Sequence, residues 1–258
     1  MSNEIPSPIP ASPAAPVETS LTSRLTNVFI APGEVFAEVK ASPVRHSNWL
    51  VAGLIFVLLS WCSAGLMLSQ DSLQHQMTEA QEKAMQKQID AGKMNQAQVD
   101  TALKIGRIFY TVAIFVGPVL GAAIGPFLGG FILWSGGALI FRKRFDYLKG
   151  VEAAGLTMVV AGLGALVKGL LCAAMGSMFV SVGAVLLVRP YDPTSLLHLF
   201  LLTFDIFAIW GLVLSGIALA KLSEVSFVKA FVWVSAVSVV VTGGFLTLGW
   251  AAQHLAPK

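Results

Sequence analysis

Five stretches of this chain, residues 48–69, 108–141, 151–188, 196–219 and 227–250, run apolar for at least the length needed to cross a lipid bilayer. A hydrocarbon core about 30 Å thick is spanned by about 20 residues of helix, so each run is a candidate crossing and together they leave little chain for anything else. Composition agrees: of 258 residues 55% are apolar and 12% are Asp, Glu, Lys or Arg, about half the charged share of an ordinary soluble domain. A soluble core has no room for that much apolar surface, and the bilayer takes its place. The formal charge of +3 is small, and no basic stripe of the kind that meets phosphodiesters is present, so nucleic acid is not an expected partner. Cys62 and Cys172 lie in separate apolar runs without CxxC or Cys/His spacing and read as small apolar side chains.

The chain opens on a different composition. Residues 1–22 carry Pro6, Pro8, Pro10, Pro13 and Pro16 among Ser, Ala and Thr, too few apolar groups to repay ordering, and a disordered tail is expected. No basic stretch followed early by an apolar core occurs, so the first span, starting near Asn48, reads as a retained signal anchor. Between tail and span, in residues 23–47, Phe29, Val35, Phe36 and Val39 share one side of a short helix that starts after Pro32. An interfacial helix with this side in the lipid headgroups is expected.

The first span has Arg45 and His46 before it and Trp49 at its interface. The polar stretch 70–104 that follows has Glu79 and Lys83 at ion-pair spacing and Leu73, Met77, Ala80 and Ala84 on one face. Gly92 stops this helix, and Asn95 with Gln98 caps the next, which makes the stretch a solvated helical hairpin. The second run holds 34 residues and would reach about 51 Å as a helix. It has to tilt, bend or begin outside the membrane, and Pro118 and Pro126 are the places to bend. Gly117, Gly121, Gly125 and Gly129 recur every four residues in it and form a smooth groove for another helix, within the chain or between chains. The third run, interrupted by Lys168, accommodates either one crossing with a re-entrant piece or a tight pair of crossings. A turn-rich loop, residues 189–193, leads into the last two spans, and residues 251–258 form a short tail. Counting basic residues with one crossing in the third run gives one side Lys40, Arg45, Arg142, Lys143, Arg144, Lys149, Lys221 and Lys229, and the short segments of the other side only Arg189 and Lys258. The positive-inside rule then places the N-terminus in the cytoplasm. The expected fold is an all-α polytopic transmembrane helix bundle of five crossings, with the polar hairpin between the first and second.

Charge inside apolar runs is where chemistry would reside. Asp205 falls near the middle of 196–219 and Lys168 lies in the preceding run, each costing roughly 2.5–3.5 kcal/mol at a helix centre if left to face lipid. Two readings stand. The helices adjoin and the charges pair or share a hydrated pocket, with His198 nearer the outer surface, or Asp205 joins a structural hydrogen-bond network and Lys168 snorkels. Phe207 and Trp210 read as packing. Arg142, Lys143 and Arg144 set orientation and touch anionic lipid headgroups. His46, His75, His198 and His254 are scattered over different segments, so no metal is expected. No catalytic residue and no cofactor can be nominated, because the glycines belong to packing runs and not to a phosphate loop.

The run Phe29-Ile30-Ala31-Pro32-Gly33-Glu34-Val35-Phe36, followed after a dozen residues by Trp49 at the head of a span, resembles the opening of the Yip-domain (Ypt-interacting-protein) family of membrane proteins. The stretch from Phe204 and Asp205 through Phe207 and Trp210 to Gly216 is similar to that family's fourth span. The resemblance covers residues 24–250 and carries Pro32, Phe36, Trp49, Asp205 and Trp210 as family-like positions. It implies a five-helix bundle with a cytoplasmic amino-terminal segment, and in eukaryotic relatives vesicle traffic with small GTPases. The Asp-Leu-aromatic-Gly-Pro signature of that branch is missing and the hairpin is extra. These departures argue against a small-GTPase partner and for a prokaryotic-type member in a bacterial inner membrane. Two functions are consistent with the sequence: a non-enzymatic membrane scaffold or adaptor working through lipids, other membrane proteins or self-association, and a small transporter or channel built on Asp205 and Lys168.

Overall fold

A computed structural model of the chain describes residues 19–90, 95–178, 180, 182–183, 188 and 195–254. Nine α-helices are present among them: α1 (Leu21–Ile30), α2 (Pro32–Ala41), α3 (His46–Leu68), α4 (Asp71–Asp90), α5 (Gln96–Ser135), α6 (Tyr147–Met175), α7 (Leu196–Thr203), α8 (Ile206–Ser223) and α9 (Phe227–His254). Five of these, α3, α5, α6, α8 and α9, are long and apolar enough to cross a membrane. The fold is the expected all-helical bundle, with five helices of spanning length and a polar hairpin of α4 and the start of α5.

Successive spans alternate in direction, so the bundle has two ends. One carries α1, α2 and the Arg142–Arg144 turn and is called the basic end; the other carries the α4 hairpin and α7. The centre is α6, which packs against α3, α5 and α8. In contrast, α5 and α9 turn wide apolar faces outward, including Phe109, Val119, Leu128 and Phe131 of α5 and Val240, Phe245 and Leu248 of α9. Exposure of this kind on a spanning helix is the surface that lipid covers.

Parallel packing of α3 on α6 rests on a spacing that belongs to neither helix alone. Gly155, Gly162 and Gly169 lie seven residues apart and face Trp49, Phe56 and Ser63, also seven apart. A Cβ at Gly155 would come within 2.1 Å of Trp49 Cβ, at Gly162 within 2.9 Å of Phe56 Cα, and at Gly169 within 2.3 Å of Ser63 Oγ. The absence of side chains lets the two backbones touch, as small-residue seams do in membranes where water gives no drive to associate.

Helix α5 is continuous over 40 residues, about 60 Å, and starts well before the apolar run at a capping box: Asn95 Oδ1 accepts from Gln98 N–H while Gln98 Oε1 accepts from Asn95 N–H. The polar first turns of α5 therefore account for part of its excess over a spanning length. Both prolines sit inside it, and aromatic donors from other helices reach its carbonyls: Trp61 Nε1 to Phe115 O, Tyr147 Oη to Phe127 O and Trp233 Nε1 to Ile132 O, each within 3.1 Å. The helix ends in a π-turn, Gly136–Ile140, and Arg142 follows with a left-handed φ of 54°. Gly136 and Gly137 have no room for a Cβ, against Trp233 and against Phe145 and Ser223 respectively.

Several sequence expectations change. Residues 19–22 of the supposed tail belong to the fold, since Ser20 caps α1 and Thr19 binds Glu38; likewise α9 runs to His254, into the stretch expected to be a tail. Segment 23–47 holds two helices, and Val28, Val35, Phe36 and Val39 are buried in the main core with residues of α6, α8 and α9. Their apolar side is covered by protein, not by headgroups, because the end of the bundle offers a complementary apolar floor. The span expected at 196–219 is broken at Phe204–Asp205 into α7 and α8, and the crossing is made by α8. In the third run, α6 makes a single crossing and ends at Gly176, whose φ of 59° suits a glycine cap. Gly92, the side chains of Met77, Ala80, Lys83 and Ala84, and the loop 189–193 lie outside the described residues.

Candidate functional site

Among the described residues the buried charges, Arg24, Lys149 and Glu152, gather where α1 and α2 lie on the basic end of the bundle. Sequence reasoning did not nominate this place. Its centre is Glu152, on the second turn of α6 and fully buried. Its Oε1 accepts from Asn48 Nδ2, its Oε2 accepts from the Arg45 backbone N–H at 3.3 Å, and Lys149 Nζ, one turn back, stands 3.5 Å from Oε2. Lys149 in turn donates to the carbonyls of Val39 and Ser42 at the end of α2. One i,i+3 pair on α6 thus holds both sides of the α2–α3 turn: the cation satisfies carbonyls at a helix C-terminus and the anion an N–H at a helix start, each at the dipole end it suits. A buried charge is tolerated only with such company. The readable signal was a Lys and a Glu three apart at the head of an otherwise apolar helix.

A second ion pair closes the two outer helices on each other. Arg24, 1% exposed, donates to Glu38 at 2.7 Å, and Thr19 donates to the same carboxylate through its N–H and hydroxyl. Burial pushes the Glu38 carboxyl up, but the hydrogen bonds from Arg24 and Thr19 and the guanidinium charge outweigh it and leave the group below its ordinary range. Outside, Lys40 pairs with Glu224 at the end of α8. Pro32 opens α2 at its first position and Phe36, completely buried, is its main anchor. Trp49 packs edge-on against Phe127 of α5 and against Gly155 of α6.

The expected intramembrane pair is placed differently. Asp205 is the N-cap of α8, its Oδ1 accepting from Phe207 N–H at 2.9 Å and Ala208 N–H at 2.8 Å, and its backbone bridges to Gly183. Its side chain is therefore at the hairpin end of the bundle, not at a helix midpoint. Lys168 is half-buried on α6, one turn beyond Gly164, which abuts Phe207. Among the described residues no ion pair joins Lys168 to Asp205; the carboxylate serves the first turn of its own helix. Trp210 and Phe207 pack against the main core.

Along the Gly groove of α5 the neighbours close in towards the basic end. Gly117 meets nothing within 4 Å, Gly121 faces Phe56 at 3.5 Å, Gly125 faces Met158 at 3.8 Å, and Gly129 would clash with Ala154 at 2.8 Å. The tightest approach is at Gly130, off the four-residue series, where a Cβ would lie 2.6 Å from Val151 N. Arg142, Lys143 and Arg144 are exposed at the turn that follows. Among the described residues no group of His, Cys, Asp and Glu is arranged to hold a metal ion.

Comparison with known proteins gives one match. The family model of the Yip1 domain matches residues 26–249, nearly the whole chain. Neither the curated proteins nor the solved structures searched gave a match. The matched span begins in α1 and ends in α9, so it takes in the amino-terminal helices, the polar junction beneath them and all five spans. With that coverage, the chain belongs to the Yip1-domain family of multi-pass membrane proteins.

Proposed function

We propose that the protein is a non-enzymatic membrane scaffold or adaptor, with lipids and other membrane proteins as its partners. The observation that supports this most is how the polar groups of the bundle are used. Asp205 caps a helix, Lys149 and Glu152 tie helix ends together, and Trp61, Tyr147 and Trp233 bind backbone carbonyls. Each is engaged with the backbone in holding the bundle together, whereas a transporter on Asp205 and Lys168 needs those groups turned towards a cargo. The surfaces left for partners are the α4 hairpin, the outer sides of α1 and α2, and the apolar faces of α5 and α9. The basic end lies in the cytoplasm, following its excess of Lys and Arg, and the membrane is a bacterial inner membrane. Reporter fusions at the N-terminus and in the α4 hairpin test the orientation: the first is expected inside and the second outside, and the reverse pattern overturns it.

The functional test is solute-dependent thermal stabilisation of the purified protein across ions, pH and small metabolites, with Asp205→Asn as control. The scaffold reading expects no solute to raise the unfolding temperature in a way that depends on Asp205. Photo-crosslinkers in the α4 hairpin are expected to capture a discrete membrane neighbour. A rise of several degrees that vanishes in Asp205→Asn replaces this reading with the transporter.

A further inference from the structure

Helix α5 carries the same break twice. Gly117-Pro118 and Gly125-Pro126 are identical pairs eight residues apart. Each proline lacks the N–H that the carbonyl four residues back, Ile114 or Ala122, would accept in a regular helix, and a helix bends most readily at such a place. The two pairs differ in what surrounds them. The second is shut in on both sides: Pro126 is buried, Gly125 faces Met158 of α6 at 3.8 Å, and Gly129 and Gly130 have no room for a Cβ against Ala154 and Val151. Towards α3, a Cβ on Gly53 would lie 3.3 Å from Ala122 Cβ, and Tyr147 Oη holds Phe127 O at 2.9 Å. The first pair is open. Gly117 has nothing within 4 Å, and Val116, Val119 and Leu120 beside it are exposed. Ile105, Ile108, Phe109 and Val112, before it in the chain, are exposed as well, and Val99 is the one buried side chain among the described residues of 96–117. The tie that reaches this break comes from α3: Trp61 Nε1 donates to Phe115 O at 2.9 Å, three residues before Pro118.

We propose that Gly117-Pro118 is a hinge latched by the Trp61 indole, about which residues 96–117 swing relative to α3, while Gly125-Pro126 is locked and the rest of α5 stays fixed to α6. The swing needs no side chain to leave a packed site at the hinge, because Gly117 already faces open space. Breaking it open costs one hydrogen bond from an indole that is itself partly exposed. Ile108 lies ten residues from Pro118, about 15 Å along the helix. A bend of about 20° therefore carries it by about 5 Å. The α4 hairpin joins α5 at the moving end, so its position relative to the spans changes with the hinge. This holds whichever partner the hairpin meets.

The test is the distribution of distances between pairs of spin labels on the full chain in lipid nanodiscs, with Cys62→Ala and Cys172→Ala removing the native thiols. Leu54 of α3, Ile108 and Leu139 are exposed and take labels as cysteine substitutions. The Leu54–Ile108 pair reads the open part of α5, and the Leu54–Leu139 pair reads across the locked part. The first distribution is expected to be the broader. Pro118→Ala, which restores the N–H, is expected to narrow it towards the second. Trp61→Phe, which keeps a ring and removes the donor, is expected to broaden it further and to leave the second unchanged. Pro126→Ala is expected to leave both as in the parent. The two hinge variants push in opposite directions, so either one decides the matter if the other does not fold. Equal breadth of the two pairs in the parent, no narrowing in Pro118→Ala, no broadening in Trp61→Phe, or as much narrowing in Pro126→Ala as in Pro118→Ala would each overturn the proposal.

Discussion

At the scale of single residues, the strongest dependence falls on Glu152. Replacing it with Ala leaves Lys149 charged and buried beside carbonyls, with Asn48 and the Arg45 N–H also stripped of their acceptor. A loss of about 3–5 kcal/mol is expected, seen as a large fall in unfolding temperature in detergent; Glu152→Gln, which keeps an acceptor oxygen, should lose less. Glu38 carries a pH dependence of definite sign. Its carboxyl is depressed in the folded protein, so the unfolded chain takes up its proton first as pH falls. The stability this gives is fully present above the unfolded pKa and disappears as pH drops through the folded one. Melting curves between neutral and acid pH should show the wild type losing more stability than Glu38→Gln. Asp205 behaves as a cap: Asp205→Ala should cost about 1 kcal/mol and Asp205→Asn much less. Either change should add simply to Lys168→Gln in a double-mutant cycle; a coupling above about 0.5 kcal/mol would show that the two charges do sense each other.

At the scale of elements, the glycine positions divide sharply. Gly155→Ala places a Cβ where Trp49 already is, and Gly130→Ala places one against the Val151 backbone; both should reduce folded yield and thermal stability by the amounts typical of overpacking, about 1–3 kcal/mol. Gly117→Ala meets open space and should be neutral or gain up to about 1 kcal/mol from helix propensity. The sequence showed the four-residue series of α5 because a regular repeat inside one helix is visible in one dimension. The seam of α3 and α6 is a match between two seven-residue series a hundred residues apart, and only the fold sets Gly155 opposite Trp49. For the same reason the spans and the Asn95–Gln98 cap were legible, being local in hydropathy and in side-chain chemistry. The break at Asp205 was not. An apolar run hides a helix end unless the cap is weighed as a cap, and an Asp before Phe207 and Ala208 was read as a charge in mid-helix.

At the scale of the whole molecule, the amino-terminal helices change meaning. Phe29, Val35, Phe36 and Val39 read from the sequence as a lipid-facing side, yet they complete the protein core through α6 and α8. Amphipathicity alone does not say what covers the apolar side. Deleting residues 19–41 should therefore destabilise the spans themselves, measured as a lower unfolding temperature and increased proteolysis of the detergent-solubilised bundle, whereas an interfacial helix would be removed at little cost. The continuity of α5 has a further consequence. One uninterrupted rod joins the hairpin at one end of the bundle to the basic turn at the other, and its inner third is clamped to α6 by Gly129 and Gly130 while its outer part is largely exposed. A rod held from Phe115 inwards is a lever whose arm is its outer half: a partner that gripped the hairpin would act on that arm, and a sideways displacement there would bear first on the Trp61–Phe115 contact with α3.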